Sequence, residues 1–147
     1  MTMNIAIAAD HGGYELKDVL TKYLEAKGHN VINLGTDTAE SVDYPDYAQK
    51  CCNEVLEKRA DFGILICGTG VGISIAANKI KGIRCGLCPS KEIAALVKQH
   101  NNANVIALGG RFTSDDEGKA IVDSYMAAQF EGGRHQARVN KIMDLEK

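Results

Sequence analysis

The sequence predicts an α/β fold, a five-stranded parallel sheet covered by helices on both faces. Three observations carry that prediction. Short apolar runs alternate five times with segments of helical periodicity. The connections between them are short, as repeated βα units require. Glycine-rich turns follow three of the runs, at Gly12-Gly13, Gly68–Gly72 and Gly109-Gly110, where the chain must turn sharply or approach a ligand closely.

The elements are expected as follows. Asn4 to Ala9 is a short apolar strand that runs into Asp10-His11. From Tyr14 to Lys27, apolar residues at 16, 19, 20, 23 and 24 make one helical stripe, stopped by Gly28. Asn30 to Leu34 is a second strand, followed by a polar loop from Thr36 to Asp43. Pro45 suits a helix's first turn, and Tyr47, Ala48, Cys51, Cys52, Val55 and Leu56 form its stripe. Phe62 to Cys67 is too short and β-branched for a helix and reads as a buried strand. A short helix follows from about Gly72 to Lys79. Ile83 to Cys88 is the fourth strand, and Ser90 caps a helix to Gln99. His100-Asn101-Asn102 is a loop before a strand from Asn104 to Leu108. Thr113 or Ser114 caps the next helix, which carries Asp115, Asp116 and Glu117 at its positive end and is broken by Gly132-Gly133. Arg134 to Leu145 is the last helix.

Composition narrows the function. With 147 residues, a single domain over 1–147 is expected. A net charge of −2 gives no footprint for nucleic acid. No apolar stretch approaches the ~18 residues of a membrane span, and the N-terminus has no basic leader. Five cysteines without framework spacing suggest a reduced, cytoplasmic setting.

In sheets of this kind, ligands bind beyond the carboxyl ends of the strands. Cys67-Gly-Thr-Gly-Val-Gly72 stands at such an end, where a helix begins. The turn is neither a dinucleotide fingerprint nor a P-loop. It is either an anion nest, with Thr69 and Ser74 as hydroxyl donors, or a tight turn that binds nothing. Cys67 is either an inert core thiol or a thiolate stabilised by the helix N-terminus, able to attack a carbonyl or to remove a proton beside one. Cys85 and Cys88 have zinc-like spacing but no second pair, and strand alternation puts them on opposite faces, so no metal site is expected. Asp10, His11 and Arg111 follow strands at the same end. His100 follows a helix and precedes a strand, which places it at the opposite end. Arg134 and Arg138 share a helix face. They either bind a phosphate with Arg111 or form a solvated face paired with Glu131 or Asp144.

Taken together, these groups resemble the type B ribose-5-phosphate isomerases of the ribose/galactose isomerase family. The resemblance rests on Ala9-Asp10-His11-Gly12-Gly13, Asp43-Tyr44-Pro45-Asp46, Cys67 to Gly72, His100-Asn101, Gly109-Gly110-Arg111 and Arg134-His135 with Arg138. It implies a Rossmann-like three-layer α/β/α sandwich that interconverts ribose 5-phosphate and ribulose 5-phosphate, a step of the pentose phosphate pathway, with no metal or cofactor. It implies a homodimer or dimer of dimers, with the active site shared across an interface to which the 134–145 helix contributes. His100 would then serve a neighbour's site. Cys67 is implied as the base between C2 and C1, Thr69 as a proton shuttle and His100 as the ring-opening group. The amides of Gly68, Gly70, Val71 and Gly72 would hold the enediolate, with Ser74 beside them. Asp10, His11, Tyr44 and Asn101 would bind sugar oxygens, and Arg111, Arg134 and Arg138, with His11 and His135 as further candidates, the phosphate. Members that replace the cysteine with serine use a glutamate base. This chain keeps Cys67 and has no glutamate in Ser74-Ile75-Ala76. Relatives acting on galactose 6-phosphate or allose 6-phosphate keep hexose phosphates open as alternatives, as is a sugar-phosphate-binding domain without turnover.

Overall fold

The computed structural model describes residues 1–147. Five strands, β1 (Asn4–Ala9), β2 (Asn30–Asn33), β3 (Phe62–Cys67), β4 (Cys85–Leu87) and β5 (Val105–Gly109), form one parallel sheet in the order β2-β1-β3-β5-β4. Six helices accompany them: α1 (Tyr14–Ala26), α2 (Tyr44–Leu56), α3 (Val71–Asn78), α4 (Lys91–Gln99), α5 (Asp115–Ala127) and α6 (Arg134–Asp144). The expected fold class is therefore present.

Alternation along the central strands divides the core by size. Ile5, Ile7, Ile64, Ile66, Ile106 and Leu108 face one way and pack against α1, α4 and α5. Ala6, Ala8, Leu65, Cys67 and Ala107 face the other way, against α2 and α3. Smaller side chains on that second face let α2 sit close: a Cβ on Gly63 would come 2.7 Å from Cys51 Sγ. The expected split of Cys85 and Cys88 across the sheet is found, with Cys88 in the first core and Cys85 against the second.

Lys17 is the one fully buried cation. Its ammonium donates to Asp18 of α1 itself (2.8 Å), to Asn33 at the end of β2 (3.0 Å) and to Asp37 beyond it (2.9 Å), so all three protons are used.

Two elements depart from expectation. β4 is shorter than Ile83 to Cys88, because Gly82 takes a positive φ of 89° and Asn104 side-chain bonds hold Gly82 and Arg84 outside the ladder. α5 stops at Ala127 rather than at the glycine pair. Ala128 is extended, and the chain crosses to the end of α4, where the Glu131 N–H bonds to the Gln99 carbonyl at 3.0 Å. The cap of α5 is Ser114, in a full capping box with Glu117. No helix is long and apolar enough to cross a membrane.

Candidate active site

The strand order places the loops after β1, β3 and β5 side by side. Register aligns their ends, with Ala9 opposite Ile66 and Cys67 opposite Gly109. Backbone bonds then lace the loops together: Asp10 N–H to Ile66 O (3.1 Å), Gly110 N–H to Cys67 O (2.8 Å) and Arg111 N–H to Gly68 O (3.0 Å). Only glycines allow this approach. A Cβ on Gly110 would lie 2.5 Å from the Gly12 carbonyl, and one on Gly12 would lie 2.9 Å from the Gly68 nitrogen.

Cys67 ends β3 and is 5% exposed. Its Sγ accepts the Gly70 N–H at 3.2 Å. Gly70, at φ 80°, is the N-cap of α3. The expected cradle of loop amides is thereby refined. Gly70 serves the sulfur and Val71 N–H is taken by Thr69 Oγ1 (3.1 Å), whereas the N–H groups of Gly68, Thr69 and Gly72 make no hydrogen bond within the chain. Those free donors, with the positive end of α3 behind them, are chemically suited to hold an oxyanion. Ser74 does not add a hydroxyl proton to them, since Ser74 Oγ donates to Val71 O at 2.7 Å.

Other groups border the same mouth. Asp10 is buried and its Oδ1 accepts the Gly12 N–H at 2.8 Å. His11 Nδ1 accepts the Val42 N–H at 3.2 Å, so the neutral ring carries its proton on Nε2. The Tyr44 ring stands over Gly72, where a Cβ would meet its hydroxyl at 3.0 Å. Arg111 lies over Gly68, its Nη1 3.0 Å from the Cβ position. Beside it, His11, Gly12, Tyr14, Gly110 and Arg111 line a small hollow of about 200 Å³.

His100, Asn101, Arg134, His135 and Arg138 are gathered elsewhere. His100 caps the C-terminus of α4, before β5, and β5 alone separates that end from Cys67 by roughly 15 Å. His100 and His135 stack with centroids 4.3 Å apart and planes 9° from parallel. Glu131 Oε1 reaches both, at 3.8 Å from His100 Nε2 and 3.4 Å from His135 Nε2. The His135 pKa is lowered by burial first, then by the charges of His100 and Arg134. Arg134 and Arg138 are exposed and form no ion pair within the chain: Glu131 faces the imidazoles, and Asp144 bonds to Lys147 at 3.1 Å.

One chain thus holds two clusters of polar side chains at opposite ends of its sheet. A family model described as Ribose/Galactose Isomerase matches residues 5–142. The chain belongs to that family. It is 48% identical to the probable ribose-5-phosphate isomerase B of Mycoplasma genitalium, over 100% of this chain and 98% of the relative. It is 48% identical to the ribose-5-phosphate isomerase B of Escherichia coli, over 97% and 96% of the two chains. The crystal structure of a ribose 5-phosphate isomerase from Thermotoga maritima superposes with a TM-score of 0.95 at 48% identity, covering 97% of this chain and 98% of that one. The Mycoplasma genitalium enzyme, solved with bound ribulose-5-phosphate, gives 0.93 at 48% identity, covering 97% and 95%.

Within this family member, several positioning groups escaped the sequence reading. Arg84 donates from Nε (3.1 Å) and Nη2 (2.8 Å) to the Asn102 carbonyl, and its Nη1 lies 3.3 Å from Met143 Sδ on α6. Asn102 itself holds a positive φ of 45°. Arg84 therefore joins the His100–Asn102 turn to the helix bearing Arg134 and Arg138. No local pattern announces this contact. The Glu131–His135 spacing of four did offer a signal.

Proposed function

We propose that this member of the family interconverts ribose 5-phosphate and ribulose 5-phosphate by proton transfer at Cys67. The observation that carries the reading is a sulfur that ends β3 beside a turn whose Gly68, Thr69 and Gly72 N–H groups have no acceptor within the chain. The likeness to enzymes named for this reaction, one solved with ribulose-5-phosphate, supports it.

In the open-chain aldose, the Cys67 thiolate removes the proton from C2. Electrons move into the C1–C2 bond, and the developing oxyanion is met by the N–H groups of Gly68, Thr69 and Gly72. The thiol then returns the proton to C1, while Thr69 moves the hydroxyl proton from O2 to O1. One such donor is worth about 3–4 kcal/mol of transition-state stabilisation, and a positioned base contributes about 10²–10⁴-fold. The Gly70 N–H donates to the sulfur at 3.2 Å and holds it at the edge of the turn.

The His100 half-site belongs, in this reading, to the neighbouring subunit's substrate. A homodimer brings His100 and Asn101 to the sugar ring, where His100 opens the furanose. Arg134, His135 and Arg138 join Arg111 on the phosphate. The weak seating of α6 supports this: only His135 and Val139 of that helix are buried, leaving its arginines, Ile142 and Leu145 exposed. The chain also has five free cysteines, which suits a reducing, cytoplasmic compartment.

The test is isotope exchange in D₂O, followed at C1 and C2 by NMR, with ribose 5-phosphate and with hexose 6-phosphates. Exchange and product formation with ribose 5-phosphate are expected, with both lost in Cys67→Ala. Full activity in that variant would remove Cys67 from its role, and preference for a hexose phosphate would reassign the substrate.

A further inference from the structure

We propose that His100, Glu131 and His135 form a binding site for a divalent transition-metal ion of the zinc and cobalt class, and that its occupation blocks isomerisation. Each residue offers one ligand atom, and the three atoms lie within 4.8 Å of one another. Two imidazole nitrogens and a carboxylate oxygen are a donor set favoured by zinc, cobalt and nickel over magnesium or calcium. Tetrahedral coordination at about 2.0–2.1 Å requires ligand atoms about 3.3–3.4 Å apart. The His135–Glu131 pair, at 3.4 Å, already has that spacing, and the His100–Glu131 pair is at 3.8 Å.

The backbone supports the arrangement. Glu131 is pinned beside α4 through its N–H bond to Gln99, and the positive φ of Gly132 (68°) and Gly133 (55°) folds the chain back, bringing His135 beside Glu131. His135 is the fixed member, its side chain 11% exposed, while those of His100 and Glu131 are 39% and 51% exposed and have room to close on an ion. The parallel stack must open for this. His100, at the end of its helix, turns its ring so that its Nε2 lone pair meets the ion. Three protein ligands leave a fourth position for water. Arg134 and Arg138 oppose a dication, but both are exposed and solvent screens most of that repulsion.

Metal binding here does not depend on the isomerase reading. Blocking does, since the ion would occupy the imidazole assigned to ring opening. Chelator-treated full-length protein should be titrated with cobalt(II). The expected result is visible d–d absorption saturating at one ion per chain, displaced by zinc, with no sulfur-to-cobalt charge-transfer band. Glu131→Gln should weaken binding by about tenfold or more, and His135→Ala should remove the band, with circular dichroism verifying that each variant is folded. A charge-transfer band would place the ion on a cysteine thiolate and overturn the site, as would wild-type titration of both variants or no saturable binding. Zinc should inhibit turnover in the same concentration range, reversed by chelator and shifted in Glu131→Gln. Saturated binding without inhibition would overturn the blocking role alone.

Discussion

A thiol that is 5% exposed owes its chemistry to the few atoms around it. Cys67 accepts the Gly70 N–H at its sulfur, and no other thiol of the chain accepts an N–H. Burial pushes Cys52 and Cys88 up to about 12 and raises Cys51 and Cys85 as well, so they stay protonated at pH 8. Iodoacetamide on the native protein should therefore modify one thiol per chain, at Cys67, with loss of activity. Mass spectrometry of the peptides checks this, and denaturation should expose all five. Gly110 offers a second test. Its missing Cβ leaves the Gly12 carbonyl 2.5 Å away, so Gly110→Ala must push one loop off another. A stability loss of about 1–3 kcal/mol is expected from such overpacking, measured by urea unfolding, together with a fall in kcat. At this scale the sequence was informative where chemistry is local. Cys67, Thr69 and the glycine turn were legible because strand, turn and helix start are consecutive. Arg84 and Lys17 were not, because their partners lie 18 and 20 residues away and no periodicity marks them.

Element boundaries were legible where a cap or a stop is written locally. Ser114 is such a case, with Glu117 three residues later. The bond to the Ser114 backbone, and then the one to its side chain, lower the Glu117 pKa from 4.5. A depressed carboxylate stabilises the fold above its unfolded pKa, and that stability is lost as pH falls through the folded value. Ser114→Ala should lower Tm at neutral pH, and the gap from wild type should narrow as pH drops below 4.5. Differential scanning calorimetry across pH 3 to 7 reads this directly. The ends of α5 and β4 were misjudged for one shared reason. Each is limited by tertiary contacts, Glu131 to Gln99 and Asn104 to Gly82 and Arg84, which no local pattern marks.

For the whole molecule, the parallel sheet sends the groups after its strands and those after its helices to opposite ends. Placing His100 at the far end needed only topology, but its stacking on His135 needed the structure. If the catalyst is assembled from two copies, inactive variants should complement. Mixing Cys67→Ala with His100→Ala under subunit exchange gives a heterodimer with one doubly impaired site and one intact site. Equal mixing should restore about a quarter of wild-type activity for a two-fold dimer, and no recovery would argue for sites complete within one chain. The glycine contacts among the three loops have a consequence for specificity. Bare main chain sets the spacing between the Cys67 and Arg111 backbones, which leaves only the Arg111 side chain to adjust its reach. The trio acts as a fixed gauge. A relative that accepts a longer sugar has to gain its extra room outside that trio, at Tyr44 or, if a second subunit completes the site, at the arginines it brings.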